Sequence, residues 1–166
     1  MGIEIERKFR VRDSAFLDGR DGERLTQGYL SHDKRATVRV RIKGEHAWLT
    51  IKGETHGASR SEFEYPIPPD DARAMLDELC GEGVIDKTRY LVPHQGHTWE
   101  VDVFHGDNQG LIIAELELDH EDQPFPHPDW LGDEVTGDPR YYNSALSKTP
   151  YKTVDSGQLT AKDKNR

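Results

Sequence analysis

The sequence predicts a mainly antiparallel β fold of the α+β class, with eight strands able to close into a barrel around a polar interior. Three observations carry this expectation. Strand-length runs of alternating charged and apolar residues recur along the first two-thirds of the chain, short segments with turn residues separate them, and few stretches have helical periodicity.

In chain order, "GIEIERKFRV" is the first strand, since residue types alternate with the period of two that sends successive side chains to opposite faces. "DSAFLDG" reads as a short helix with Asp13 or Ser14 as N-cap. "LTQGYL", "ATVRVRIKG", "HAWLTIKGE" and "SRSEFEYPI" are four more strands, broken at Gly44-Glu45 and at 53–57. "PPDDARAMLDELCGEG" is the stronger helix. Asp70 is its expected cap, acids crowd its first turn, Gly81 ends it, and Ala72, Met75, Leu76 and Leu79 form its apolar stripe. Cys80 lies near that stripe and reads as a buried structural thiol. "GVIDKTRYLV", "TWEVDVFHG" and "GLIIAELELD" complete the strands, with turns at 93–96 and 106–110.

The order is therefore β-α-β-β-β twice, the pattern of an internal duplication, and closure of eight such strands removes exposed edges. Beyond Asp119 the proline-rich "EDQPFPHPDWLG" lacks ladder donors and reads as a covering loop. "GDPRYYNSALSK" reads as a C-terminal helix with Asp138 as N-cap and Pro139 at its first position. The expected organisation is one domain over 1–150 and a polar tail over 151–166.

Composition narrows the function. At 166 residues a single domain buries about 70% of its unfolded surface. A net charge of −9 argues against a nucleic-acid or anionic-membrane binder, while leaving a small anionic substrate open, because a cleft can oppose the sign of the whole surface. No apolar run approaches the roughly 20 residues needed to cross a bilayer, and no signal-peptide core opens the chain. The single cysteine rules out an internal disulfide, so a cytoplasmic location is expected.

The charges themselves are patterned. Glu4, Glu6 and Lys8 share a strand face, as do Arg39 with Arg41, Arg60 with Glu62 and Glu64, Lys87 with Arg89, Glu100 with Asp102, and Glu115 with Glu117; Lys52 lies with Thr50. Any one of these strands fits the solvated face of an amphipathic sheet. The set does not, because charges group by sign within strands. Same-face neighbours about 7 Å apart repel by about 2.4 kcal/mol at an effective dielectric of about 20. A free surface would alternate sign, so the charged faces point inward and the apolar faces turn outward against the helices and loop. Paired carboxylates hold Mg²⁺ or Mn²⁺, hard ions often shared with substrate phosphates, and Arg and Lys bind phosphate oxygens. Phosphoryl transfer needs little beyond positioning, charge neutralisation and an oriented nucleophile.

Glu4-Ile5-Glu6-Arg7-Lys8 resembles the ExExK motif of the CYTH proteins, the triphosphate tunnel metalloenzymes, and "TVRVRIKG", "LTIKG", "RSEFEY", "KTRY", "WEVDVF", "AELEL" and "EVTGDPRYYNSAL" follow in that family's order. The resemblance runs from about Gly2 to Leu146. It implies an eight-stranded antiparallel barrel enclosing a charged tunnel, a need for Mg²⁺ or Mn²⁺, and a short bacterial-type inorganic triphosphatase. Carried over by position, Glu4 and Glu6 bind metal or orient water, with Glu115 and Glu117 completing the metal site. Glu62, Glu64, Glu100 and Asp102 form a second acidic group, and Lys8, Arg39, Arg41, Lys52, Arg60, Lys87 and Arg89 grip the triphosphate. Tyr29 has the spacing to enter the tunnel beside Lys8, giving a proton-abstracting pair; metal-activated water positioned by Glu4 or Glu6 is the competing scheme. The C-terminal helix is expected as a cap over one barrel end, with Arg140 in reach of the ligand.

The expected reaction is hydrolysis of inorganic tripolyphosphate to pyrophosphate and phosphate. The alternatives are a class IV-type adenylyl cyclase, a nucleoside or thiamine triphosphatase, or a non-catalytic polyphosphate-binding module. The module would lack the acids, and both charge sets are present here. Trp48 and Trp99 read as core or rim packing, not as base-stacking platforms. "GVIDKT" is no P-loop, having Asp86 where glycine is required, and His94, His97, His105, His120 and His127 lie in or beside turns with no zinc-ligand spacing. The expected partner is the small-molecule triphosphate, with no nucleic acid and no membrane, and the protein is a monomer or a homodimer.

Overall fold

The computed structural model describes residues 2–151 apart from Glu82, and the polar tail expected after Tyr151 lies outside the described residues. Strands β1 (Gly2–Val11), β2 (Glu23–Ser31), β3 (Thr37–Lys43), β4 (His46–Lys52), β5 (Ser59–Ile67), β6 (Ile85–His94), β7 (His97–Phe104) and β8 (Ile112–Glu117) all fall on the expected runs. They pair antiparallel in the order β5-β4-β3-β2-β6-β7-β8-β1, and β1 also pairs with β5, which closes an eight-stranded barrel. Chain reversals are tight. Between β6 and β7 the two-residue turn Gln95-Gly96 has φ of 46° and 84°, the left-handed pair whose twist matches the flanking strands.

Helix α1 spans Pro69–Glu78, between β5 and β6. Its N-cap is Pro68, so Asp70 lies inside the first turn instead of capping it, and accepts from Arg73 Nη1 at 2.8 Å. Proline suits this end because the first helical N–H groups lack intrahelical acceptors in any case. Ala72, Met75 and Leu76 pack onto Val40, Ala47 and Cys80, whereas Leu79 is 62% exposed; the helix has run past its sheet before the expected stripe ends. Close approach to β2 is set by Gly28, where any Cβ would fall 2.9 Å from Cys80 and Leu76. Cys80 is buried there as a packing residue.

Other expectations are corrected. "DSAFLDG" forms a single 3₁₀ turn, Ala15–Leu17, and Asp13 Oδ1, not Ser14, accepts from its Ala15 N–H at 2.9 Å. A ninth strand, β9 (Leu131–Glu134), follows the covering loop and adds to the outer end of β1. The single C-terminal helix is instead a 3₁₀ turn, Pro139–Tyr141, followed by α2 (Asn143–Lys148). Asp138 does cap the first piece, accepting from Arg140 N, but Tyr142 is extended and splits the two.

The apolar residues lie mainly outside the barrel wall. Phe9, Trp99, Val101, Ala114 and Leu116 form one core cluster under the covering loop, with Phe125 and Trp130 packed onto it. The α1 cluster is a second. A third plugs one barrel end, where Tyr141, Leu146 and Tyr151 sit on Ile85, Phe104 and Ile113, which continue the inward faces of β6, β7 and β8. Among the described residues no helix is long and apolar enough to cross a membrane.

Candidate active site

The barrel encloses a cavity of about 220 Å³. It is lined by seven bases (Lys8, Arg39, Arg41, Lys52, Arg60, Lys87, Arg89) and seven acids (Glu4, Glu6, Glu62, Glu64, Glu100, Glu115, Glu117), with Tyr29 among them. Every charged residue of the predicted set reaches this cavity except Asp102, which is fully buried behind the bases. Period-two alternation produces the convergence, since each strand sends its charged parity inward and its apolar parity to the outer clusters.

The wall formed by β1 and β8 is crowded with carboxylates. Their register sets Glu6 opposite Glu117 and Lys8 opposite Glu115. Burial, together with Glu115 and Glu4, raises the Glu6 carboxyl well above the ordinary carboxylate range. Glu115 is also opposed by burial, but Lys8, the hydrogen bond from Glu6 and Arg89 hold it well below that range. The two carboxyls are thus pushed in opposite directions, with Glu6 the donor and Glu115 the acceptor of their hydrogen bond. Glu4 is lowered, because Lys52 at 3.1 Å outweighs its burial; the same ammonium lies 3.3 Å from Glu62, which burial raises.

Across the cavity the bases are held in a lattice. Arg89 clasps Asp102 in bidentate fashion at 2.8 and 2.9 Å, and reaches Glu100 at 3.2 Å. Lys87, with no exposed surface, lies 2.7 Å from Asp102 and donates to Asn143 Oδ1 at 3.0 Å. Burial, and the positive charges of Arg89 and Arg41, push its ammonium down to about 7 against the pull of Asp102. Asp102 stays below its ordinary value despite burial because Arg89 and Lys87 face it. Arg39 lies 3.7 Å from Glu64 and donates to Thr50 at 3.3 Å; among the described residues its buried Nε has no hydrogen-bond partner. Lys8 lies 3.9 Å from Glu115, donates to Tyr141 O at 3.4 Å, and sits 5.5 Å from the Tyr142 ring centre.

Five uncharged lining residues were given no role by the sequence reading, which noted only that Thr50 shares the Lys52 face: Thr37, Thr50, Tyr142, Asn143 and Ser144. The threonines lie on the inward parity of β3 and β4, so the alternation itself could have found them. The others arrive on the C-terminal segment, whose docking no local pattern reveals. Arg140 lies at the surface, 2.7 Å from Asp138, and does not line the cavity. Trp99 is a fully buried core residue, and Trp48 lines a second cavity of about 190 Å³ beside the first, under the Lys43 ammonium.

Among the described residues no three carboxylate, imidazole or thiol groups form a closed cation cage. The donor chemistry still fits a divalent ion. Glu4, Glu6 and Glu115 converge closely enough to oppose one another's ionisation, and a hard cation would relieve that repulsion.

Comparison with known proteins agrees with this architecture. The CYTH domain family matches residues 2–150. A protein named inorganic triphosphatase from Acetivibrio thermocellus is 51% identical over 152 residues, covering 92% of this chain and 97% of its own. Another of that name from Nitrosomonas europaea is 39% identical over 150 residues, covering 87% and 96%. A crystal structure of an inorganic triphosphatase superposes with a TM-score of 0.63 at 35% identity, covering 86% of this chain and 96% of the other. A crystal structure of a putative adenylate cyclase from Bacillus halodurans shares the fold, with a TM-score of 0.57 at 18% identity, covering 73% and 84%. With the charged barrel interior in place and nearly its whole described length matched, the chain belongs to the CYTH domain family.

Proposed function

We propose that this protein is a metal-dependent triphosphatase that hydrolyses inorganic tripolyphosphate to pyrophosphate and phosphate. The observation that carries the reading is the enclosed 220 Å³ cavity lined by seven bases and seven acids. Two relatives that match almost end to end bear the name inorganic triphosphatase, which supports it. Bases alone would suffice to bind a polyanion; the acids are what hydrolysis adds.

Glu4, Glu6 and Glu115, with Glu117, are the residues that would hold Mg²⁺ or Mn²⁺, an ion that neutralises phosphate charge and lowers the pKa of bound water when present. Lys8, Arg39, Arg41, Lys52, Arg60, Lys87 and Arg89 grip the phosphate oxygens. Asp102, with both oxygens accepting from Arg89 and Lys87, fixes the direction of those two bases. Glu62, Glu64 and Glu100 form the outer acidic group, and Glu62 shares Lys52 with Glu4. For proton removal the candidates are Lys8 and Tyr29, which both line the cavity, Lys8 being already engaged by Glu115. Full turnover by Tyr29→Phe across the pH range would leave the task to Glu4 or Glu6 acting on water.

Product analysis tests the reading. The protein is incubated with Mg²⁺ or Mn²⁺ and, in separate reactions, tripolyphosphate, ATP and thiamine triphosphate. Orthophosphate plus pyrophosphate from tripolyphosphate is expected, and cyclic AMP from ATP would overturn the assignment. Glu4→Gln is expected to abolish turnover while the circular dichroism spectrum stays unchanged.

A further inference from the structure

Among the described residues most bases of the cavity are already engaged by carboxylates; Arg60, which donates to Gly53 O and Thr37 Oγ1, and Arg41 are not. Lys8, Arg39, Lys52, Lys87 and Arg89 each have an acid within ion-pair distance. Arg41, half-buried near Arg39 and Arg89, is in no ion pair among the described residues; its Nε donates to Gln27 Oε1 at 2.7 Å. Gln27 has no exposed surface and does not line the cavity. Its Nε2 donates to Asn143 Oδ1 at 3.3 Å, the oxygen that also accepts from Lys87 Nζ at 3.0 Å. The Arg41 guanidinium only donates, so it fixes the carbonyl end of the Gln27 carboxamide, whose amide in turn fixes the oxygen of Asn143. A polarised chain therefore runs Lys87–Asn143–Gln27–Arg41, with Gln27 turning its carbonyl to the guanidinium.

We infer that Gln27 is a positioning residue for substrate binding: it aims the Arg41 guanidinium into the tunnel through a neutral acceptor, leaving that positive charge uncancelled for the phosphate chain. The inference rests on the triphosphatase reading above. A carboxylate at position 27 would satisfy the same Nε–H and would suit the cation better, since desolvation and the neighbouring guanidiniums push Arg41 down to about 9. It would also cancel the charge that the ligand needs. The amide gives up stability in the free protein and keeps an anion-receptive site.

Titration calorimetry with tripolyphosphate, without divalent cation so that no turnover occurs, tests this on the full chain. Gln27→Glu at pH 8 is expected to fold with an unchanged or raised melting temperature and to bind at least tenfold more weakly. Its binding deficit, measured against wild type at the same pH, should shrink only as pH falls below about 4.3, because Arg41 opposes protonation of the new carboxyl; a merely structural role would not produce this response. Gln27→Met, similar in size but without the acceptor, is expected to lose roughly tenfold in affinity, and it carries the test if Gln27→Glu does not fold. Binding by either folded variant within twofold of wild type would overturn the inference. A wild-type protein that binds no tripolyphosphate would instead overturn the triphosphate reading, and this inference with it.

Discussion

Asp102 shows how one residue can be read correctly by position and differently by task. Its alternation with Glu100 marked it as inward-facing, and it is; yet its oxygens meet Arg89 and Lys87, not open cavity. The fully buried Lys87 ammonium relies on that carboxylate at 2.7 Å, and Arg89 divides its donors between it, Glu100 and Glu115. Asp102→Asn is therefore expected to cost about 3–5 kcal/mol, the penalty for leaving buried charge without its partner, read as a lower midpoint in urea. The charged lining as a whole was legible because like charges two residues apart are improbable on a free surface. The neutral lining was not. Thr37, Thr50 and Asn143 have no sign to cluster, and Gln27 carries its role only through the geometry of Arg41 and Asn143.

Elements were legible where period and turn chemistry agreed, which covers all eight barrel strands. Misreadings sit at the ends, where tertiary contacts decide. Leu79 was assigned to the buried stripe of α1, but the sheet beneath it has ended. The C-terminal helix breaks at Tyr142, whose ring goes to Lys8 instead of continuing the helix. The seat of α2 yields a pH prediction. His32, just beyond β2, shares a 2.8 Å hydrogen bond with Ser147 Oγ, and burial together with Lys148 lowers its pKa below 6.5. The folded protein then binds this proton less readily than the unfolded chain does. The His32 contribution is complete above about 6.5 and is lost as pH falls through the window beneath that value. Amide exchange in α2 should accelerate relative to the barrel strands between pH 7 and 5, and His32→Gln should remove the difference. An equal response in the variant would assign the effect elsewhere.

At the scale of the whole molecule, the strand pairings are unchanged when each strand is advanced by four: β1–β8 becomes β5–β4, β7–β8 becomes β3–β4, β6–β7 becomes β2–β3, and β1–β5 and β2–β6 map onto themselves. The duplication read from element order is therefore present in the topology. It gives a barrel whose layers are inverted, with ionic groups inside and apolar clusters mainly outside the wall.

Such a division separates stability from chemistry, and two substitutions expose it. Trp99→Ala removes a fully buried side chain from the outer cluster, distant in role from the tunnel; it is expected to cost about 3–5 kcal/mol. Glu6→Gln should behave oppositely. Because the folded-state pKa of Glu6 is raised, its favourable contribution is present below the ordinary carboxylate range and is lost as pH rises through the folded value. The amide cannot ionise, so at pH 8 without metal this variant should melt at or above the wild-type temperature while losing triphosphate hydrolysis. Adding Mg²⁺ or Mn²⁺ should then stabilise wild type by mass action and leave Glu6→Gln nearly unmoved. A clear fall in the metal-free melting temperature of Glu6→Gln would mean that the interior carboxylates hold the barrel together, and that the division between inner chemistry and outer stability is wrong.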